Sequence, residues 1–125
     1  MRKFSIAGVS FALLAVILGA FASHALKDYF EVGALQSFET GIRYMMYHGL
    51  ALLILSQMSV AQNPWIFRLF FWGVIFFSFS IFALCLGKLT IYNLSWVGPI
   101  TPIGGSLLII GWAMLLWKII KNKAE

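Results

Sequence analysis

The sequence predicts an all-α membrane protein, a single small bundle of four transmembrane helices with both termini on the same side. The 125-residue chain is 62% hydrophobic and 10% charged, with a mean hydropathy of +0.93. An average soluble domain is about 45–50% apolar and about 25% charged. The apolar residues form four segments, about 4–23, 44–61, 69–87 and 100–117, and about 20 such residues cross a bilayer. Since no length remains for a separate soluble module, residues 1–125 form one domain.

The charge pattern favours a lipid bilayer, and not a nucleic acid, as the partner. The net charge is +5, but the basic residues stand singly or in small groups at the ends of apolar segments, as is typical of membrane anchoring. The one cysteine, Cys85, lies in an apolar segment, so no intrachain disulfide forms and the thiol is expected to be packing. With no Cys-x-x-Cys or haem-attachment motif, the sequence predicts no cofactor and no metal.

The first segment is uncharged and follows Arg2 and Lys3. This pattern also imitates a secretory signal, with Ala20-Phe21-Ala22 as a cleavage site. Retention is favoured by small residues that recur at spacings of four and three and predict a face for close helix packing: Gly8, Ala12, Ala15, Gly19 and Ala22.

Residues 24–36 form the longest polar connection, where we expect a short helix on the membrane surface. The second segment begins inside the stretch Glu39–Ser56. Wound as a helix at about 100° per residue, this stretch carries its polar residues on one half of its circumference: Glu39, Thr40, Arg43, Tyr44, Tyr47 and His48. Polar side chains at the mouth of a membrane helix need partners.

The third segment follows a turn at Gln62-Asn63-Pro64 and is rich in phenylalanine, which we expect to be mostly lipid-facing, with some of the rings in the core. Ser78 and Ser80 are expected to bond back to their own helix. The fourth segment starts with Pro99 and Pro102, which fit either a first helical turn or a broken helix whose amides face a ligand. Its tryptophans suit interfacial belts or lipid packing: Trp96, Trp112 and Trp117.

Four spans place Lys and Arg unequally on the two sides. Six lie with the termini: Arg2, Lys3, Arg68, Lys118, Lys121 and Lys123. Three lie opposite: Lys27, Arg43 and Lys88. The excess predicts cytoplasmic termini. A polar cluster is then predicted at the outer face: His24, Glu39, Thr40, Arg43, Tyr44, Tyr47, His48, Pro99, Thr101, Pro102, Gly104 and Gly105.

This cluster has several interpretations. Glu39 and Arg43 are spaced for an ion pair that fixes the depth of the helix, or Arg43 and Lys27 bind an anionic headgroup or substrate. His48 is structural, or it has a proton-linked role, or it joins His24 at a metal or haem. No third ligand at metal-site spacing is visible.

Three motifs lie in order along nearly the whole chain. They are Gly19-Ala20-Phe21 with His24-Ala25-Leu26-Lys27, Thr40-Gly41 with Tyr44 and Tyr47-His48-Gly49-Leu50-Ala51-Leu52-Leu53, and Gly98-Pro99-Ile100-Thr101-Pro102-Ile103-Gly104-Gly105 with Gly111-Trp112. By these motifs the chain resembles the small bacterial membrane proteins of domain of unknown function 423, which have a small eukaryotic transmembrane relative. The resemblance implies a four-helix fold in the bacterial inner membrane and a retained first segment. It implies no known activity.

Two classes of function follow. The first is a structural or accessory membrane protein that assembles with itself or with a partner membrane protein. The alternative is a small transporter or channel for an ion or small molecule. A proton-coupled exporter is disfavoured because three carboxylates, Asp28, Glu31 and Glu39, lie outside the spans or at their edges. No nucleophile–base pair is visible, so we expect no enzyme.

Overall fold

The computed structural model describes residues 2–59 and 62–122, and within them the chain is helical and contains no strand. The first two helices are α1, Arg2–Leu26, whose last turn Ala22–Leu26 is π-helical, and α2, Val32–Leu55. Residues 60 and 61, the predicted end of the second span, lie outside the described residues.

The second half of the chain supplies two more helices. The helix α3, Pro64–Gly87, contains a π-helical turn at Ile75–Phe79, and α4 spans Ile100–Lys121 after a short 3₁₀ turn at Ser95–Val97. The start of α3 follows from its sequence, because Asn63 Oδ1 accepts a hydrogen bond from the Trp65 amide at 2.8 Å and Pro64 occupies the first turn.

The prolines of the last helix lie where a missing amide costs little. Pro99 immediately precedes α4 and Pro102 lies in its first turn, after which the helix continues without a break to Lys121. The structure therefore shows the first-turn arrangement of the two that the sequence allowed.

No separate surface helix forms between the first two segments. The connection is a short turn, and its last residues are the first turns of α2. Apolar side chains explain this early start: Ala34 and Phe38 are buried, and the Phe38 ring packs 5.4 Å from that of Phe30. Burial of these groups extends the helix beyond the apolar segment visible in the sequence.

The predicted small-residue face of α1 is confirmed, and α2 covers it. A Cβ atom on Gly8 would lie 2.6 Å from the Gly49 carbonyl oxygen, and one on Gly49 would lie 2.9 Å from the Gly8 carbonyl oxygen. Ala15 and Ala22 on the same face are buried. This face is therefore used inside the bundle, where small residues let two backbones approach closely.

Helices α3 and α4 form a second close pair. A Cβ atom on Gly104 would overlap the backbone nitrogen of Phe77, and one on Gly73 would lie 2.6 Å from Leu108 Cδ2. The two pairs meet at Gly41, where an added Cβ would lie 2.7 Å from Phe82 Cε1. Glycines thus permit close contact within both pairs and between them.

The expectation that most phenylalanines of α3 face lipid, with only some in the core, is wrong. Phe70 and Phe82 are buried, and the other five are half-buried: Phe67, Phe71, Phe76, Phe77 and Phe79. The reason is that α3 contacts all three other helices. The ring centroids of Phe71 and Phe11 of α1 lie 5.5 Å apart, and those of Phe82 and Phe38 of α2 lie 4.9 Å apart.

Three of the described helical stretches are long and apolar enough to cross a membrane: Arg2–Leu26, Pro64–Gly87 and Ser95–Lys121. The fourth helix, α2, has 24 residues but does not reach that apolarity, because its first half carries polar side chains such as Glu39 and Arg43. The architecture shown is thus four helices, three of which have the length and composition of membrane spans.

Candidate functional site

His48 is the most enclosed of the predicted polar residues. It lies on α2 with 4% of its surface exposed, one turn after Tyr44. Its Nδ1 lies 2.7 Å from the Tyr44 carbonyl oxygen, and its Nε2 lies 2.9 Å from the indole Nε1 of Trp112 on α4. Since an indole N–H can only donate and a carbonyl can only accept, Nδ1 carries the proton and Nε2 accepts.

This arrangement fits a neutral imidazole whose two nitrogens are both used. Rings surround it: the Phe70 centroid lies 5.6 Å away and the Trp112 centroid 5.8 Å away. Neither nitrogen is left for a metal in this conformation. In the part of the chain that the structure describes, no three His, Cys, Asp or Glu side chains are grouped as metal ligands. The geometry makes His48 a link between α2 and α4.

Trp112 was predicted to lie in an interfacial belt or against lipid. It is 46% exposed, so part of the ring does face outward, but its N–H points inward to His48. Tyr44, His48, Phe77, Gly105 and Trp112 line a lateral groove of about 420 Å³, which we call the His48 groove. The ring centroids of Tyr44 and Phe77 lie 4.8 Å apart. Tyr47 lies beside Tyr44, and 55% of its surface is exposed.

The predicted ion pair between Glu39 and Arg43 does not form. Arg43 Nη2 donates to Thr40 Oγ1 at 3.0 Å, and that hydroxyl donates to the Gln36 carbonyl at 3.0 Å. Thr40 precedes Arg43 by three residues, so it lies on the same helix face and offers an acceptor within reach. Glu39 and Arg43 also line a shallow hollow of about 170 Å³ against Gly19 and Ala22 of α1.

The remaining predicted residues lie at the start of α4 or the end of α1. Thr101 is half-buried, Pro99 and Pro102 are exposed, and Gly104 is buried against α3. His24 is exposed in the π-helical turn that ends α1, and no contact joins it to His48 among the described residues. The predicted residues are thus distributed over several places along one half of the bundle.

Three polar residues of α3 were not among the predicted site residues. Ser78 Oγ donates to the Gly41 carbonyl of α2 at 2.8 Å, although we expected it to bond to its own helix. Ser80 does bond back, to the Phe77 carbonyl at 2.9 Å, but its hydroxyl also lies 2.5 Å from Thr101 Oγ1 of α4. Cys85 Sγ donates to the Ala34 carbonyl of α2 at 3.3 Å. In the sequence, the one feature that could have pointed to these three residues is that each places a polar atom within an apolar segment.

A larger cavity lies where α2, the end of α3 and the start of α4 meet. Its volume is about 520 Å³, and Thr40, Cys85, Lys88 and Thr101 are among its lining residues. We call it the Lys88 cavity. Ligand cavities commonly have volumes of about 300–1,000 Å³, so this one is large enough for part of an amphiphile.

Apolar helices joined by internally satisfied polar groups define an all-helical membrane protein. The chain belongs to the family described as "Protein of unknown function (DUF423)", whose model matches residues 18–105.

Curated relatives agree with this assignment. The chain is 40% identical over 119 residues to a UPF0382 membrane protein of Staphylococcus saprophyticus, covering 93% of this chain and 95% of the relative. It is 36% identical over 129 residues to the UPF0382 membrane protein YwdK of Bacillus subtilis, covering 97% and 98%. No solved structure matches the chain significantly. The protein is therefore a membrane protein of a family whose molecular function is unknown.

Proposed function

We propose that this protein has a structural or accessory role in the bacterial inner membrane and is not an enzyme. One observation carries the proposal: the buried imidazole of His48 uses both nitrogens to join helices, to the Tyr44 carbonyl and to the Trp112 indole. A transport or catalytic histidine needs a nitrogen that can exchange a proton or meet a ligand. Ser78 and Ser80 support the same view, because their hydroxyls also connect α3 with its neighbours.

In this proposal all four helices cross the membrane and both termini are cytoplasmic. The polar first half of α2 is compatible with crossing, because Arg43 bonds to Thr40 within the helix and the Gly41 carbonyl accepts a hydrogen bond from Ser78 of α3. An accessory role also implies a partner, either a second copy of the chain or another membrane protein.

A partner is tested with photo-crosslinking residues at the exposed positions Val16, Ile54 and Ile109. The buried Leu52 provides the matched control position. We expect a discrete intermolecular product from at least one exposed position in native membranes, and none from Leu52. Absence of a product from all three exposed positions contradicts the accessory role.

The transporter alternative is tested with purified protein in liposomes. We expect no protein-dependent flux of ions or small amines. Flux that His48→Phe abolishes and His24→Phe leaves intact would overturn the proposal in favour of transport, because His24 is the exposed histidine and serves as the matched control.

A further inference from the structure

The Lys88 cavity combines an apolar wall with a small number of polar groups. Ala34 of α2 and Ile81 and Leu84 of α3 supply apolar surface. Lys88 directly follows the last residue of α3 and supplies a cation, while Ser37 of α2 supplies a hydroxyl. A mostly apolar cavity with a few placed polar groups is the usual form of a small-molecule site.

The hydroxyls of the cavity differ in what they can offer a ligand. Thr40 already bonds to Gln36 and Arg43, and Thr101 shares a contact with Ser80. In the part of the chain that the structure describes, the Ser37 hydroxyl has no hydrogen-bond partner and Lys88 forms no ion pair. The polar groups available to a ligand are thus one hydroxyl and one ammonium.

The charge near the cavity limits the class of ligand. Lys88 is the cation in its lining. Glu31 shares a neighbouring cavity of about 100 Å³ with Lys88, without forming an ion pair with it. A ligand head on the Ser37 side of Lys88 would contact both the Lys88 ammonium and the Ser37 hydroxyl. Both groups donate hydrogen bonds, so this arrangement suits phosphate or carboxylate oxygens.

We propose that the Lys88 cavity binds an anionic amphiphile whose phosphate or carboxylate head contacts Lys88 and Ser37. Its hydrocarbon chain lies along the wall formed by Ala34, Ile81 and Leu84 and continues toward the bilayer. Two sources carry this chemistry: a phospholipid of the surrounding membrane and a free fatty acid. The proposal does not depend on the accessory role, since a structural protein and a transporter can each hold a bound lipid.

The test is native mass spectrometry of the full-length protein released from detergent micelles. Phosphatidylglycerol and phosphatidylcholine are added in equal amounts, so that the adduct ratio reports preference for an anionic head. One lysine at an anionic lipid headgroup corresponds to a preference of about fivefold. We expect that preference in the parent protein and in Lys88→Arg, and its loss in Lys88→Gln. Ser37→Ala should reduce it less.

Arg68→Gln is the matched control, because it removes an exposed cation at the start of α3, outside the cavity. We expect it to keep the preference. An equal loss in Arg68→Gln and Lys88→Gln would overturn the proposal, because the attraction would then come from net charge. Equal adducts of the two lipids in the parent protein would overturn it as well.

Two competitors identify the source of the head. Displacement of phosphatidylglycerol by oleate would support the proposal with a fatty acid as ligand, and no displacement would support it with a phospholipid. Displacement by inorganic phosphate alone at the same concentration would overturn it, because a site for an amphiphile needs the chain as well as the head.

Discussion

At the scale of single residues, each polar contact inside the bundle pairs a donor with an acceptor that has few alternatives. The indole of Trp112 can only donate and the carbonyl of Tyr44 can only accept, so together they define one tautomer of His48. The Ser78 hydroxyl adds a bond to the Gly41 carbonyl of a different helix. Because an unsatisfied polar group in hydrocarbon costs several kcal/mol, these contacts favour one arrangement of the helices.

The bond between His48 and Trp112 is expected to show an energetic coupling. In a double-mutant cycle of His48→Phe and Trp112→Phe, we expect a coupling of about 0.6 kcal/mol and not more than about 1.7 kcal/mol, the average and the maximum for interhelical hydrogen bonds measured in a membrane protein. The measurement is the free energy of unfolding in mixed micelles.

Trp117→Phe combined with His48→Phe is the control cycle, because Trp117 contacts Lys121 and does not contact His48. It should show no coupling. A coupling of zero for Trp112 would mean that the 2.9 Å contact contributes nothing to the folded state.

The sequence predicted that His48 needs a partner, but it did not predict which residue that is. Trp112 follows His48 by 64 positions, and a tryptophan in an apolar helix has the same local pattern whether its N–H meets lipid headgroups or an imidazole. Arg43 was paired with Glu39 from spacing alone, whereas Thr40 offered an acceptor on the same face. Which side chain takes a given donor depends on rotamers and neighbouring helices, which spacing does not encode.

At the scale of helices, the pattern of small residues was more informative than the pattern of large ones. The recurrence of Gly8, Ala15 and Ala22 predicted a packing face, and α2 covers it. Phenylalanine was less informative, because it suits both lipid and a membrane-protein core. Phe70 and Phe82 are buried because α3 packs among the other three helices.

Gly104 is expected to control the distance between α3 and α4. A Cβ atom at this position would overlap the Phe77 backbone nitrogen, which cannot move without moving the helix. We expect Gly104→Ala to lower the free energy of unfolding by about 1–3 kcal/mol, the usual cost of overpacking.

Gly105→Ala is the matched control in the same helix turn. Its Cβ would lie 3.5 Å from Phe77 Cδ1, an ordinary contact, so Gly105→Ala should not lower the free energy of unfolding and should raise it by up to about 1 kcal/mol through the better helix propensity of alanine. Equal stability of the two variants would show that α3 and α4 separate at no cost.

At the scale of the whole molecule, cations and aromatic rings mark one end of the bundle. Lys3 lies 5.0 Å from the centroid of Phe67, Arg68 lies 4.8 Å from that of Trp65, and Lys121 lies 4.8 Å from that of Trp117. The Phe4 ring packs 5.2 Å from Phe67, so the starts of α1 and α3 lie together. Lys123, the last cation in the predicted majority, lies outside the described residues. Aromatic residues occur at both membrane interfaces, so the proposed cytoplasmic orientation of this end depends on its basic residues.

This orientation predicts which connections face the outside of the cell. The Cys85→Ser background removes the one native cysteine. In this background, single cysteines replace Gly33, Gln62 and Ile91 in turn. All three positions are exposed, and each lies between helices or at a helix start. We expect an impermeant maleimide to label Gly33→Cys and Ile91→Cys in intact spheroplasts. Gln62→Cys should react only after the membrane is permeabilised.

The same three positions test whether α2 crosses the bilayer. Gly33 lies in the first turn of α2 and Gln62 follows the end of that helix, so labelling of both from the outside would mean that α2 stays on one side and that three helices span. Labelling of Gln62→Cys alone would keep four spans but reverse the orientation predicted by the charges. A four-span protein with cytoplasmic termini requires labelling of Gly33→Cys and Ile91→Cys without Gln62→Cys, because Gly33 and Ile91 then share the outer face while Gln62 lies on the same side of the membrane as Lys3 and Arg68.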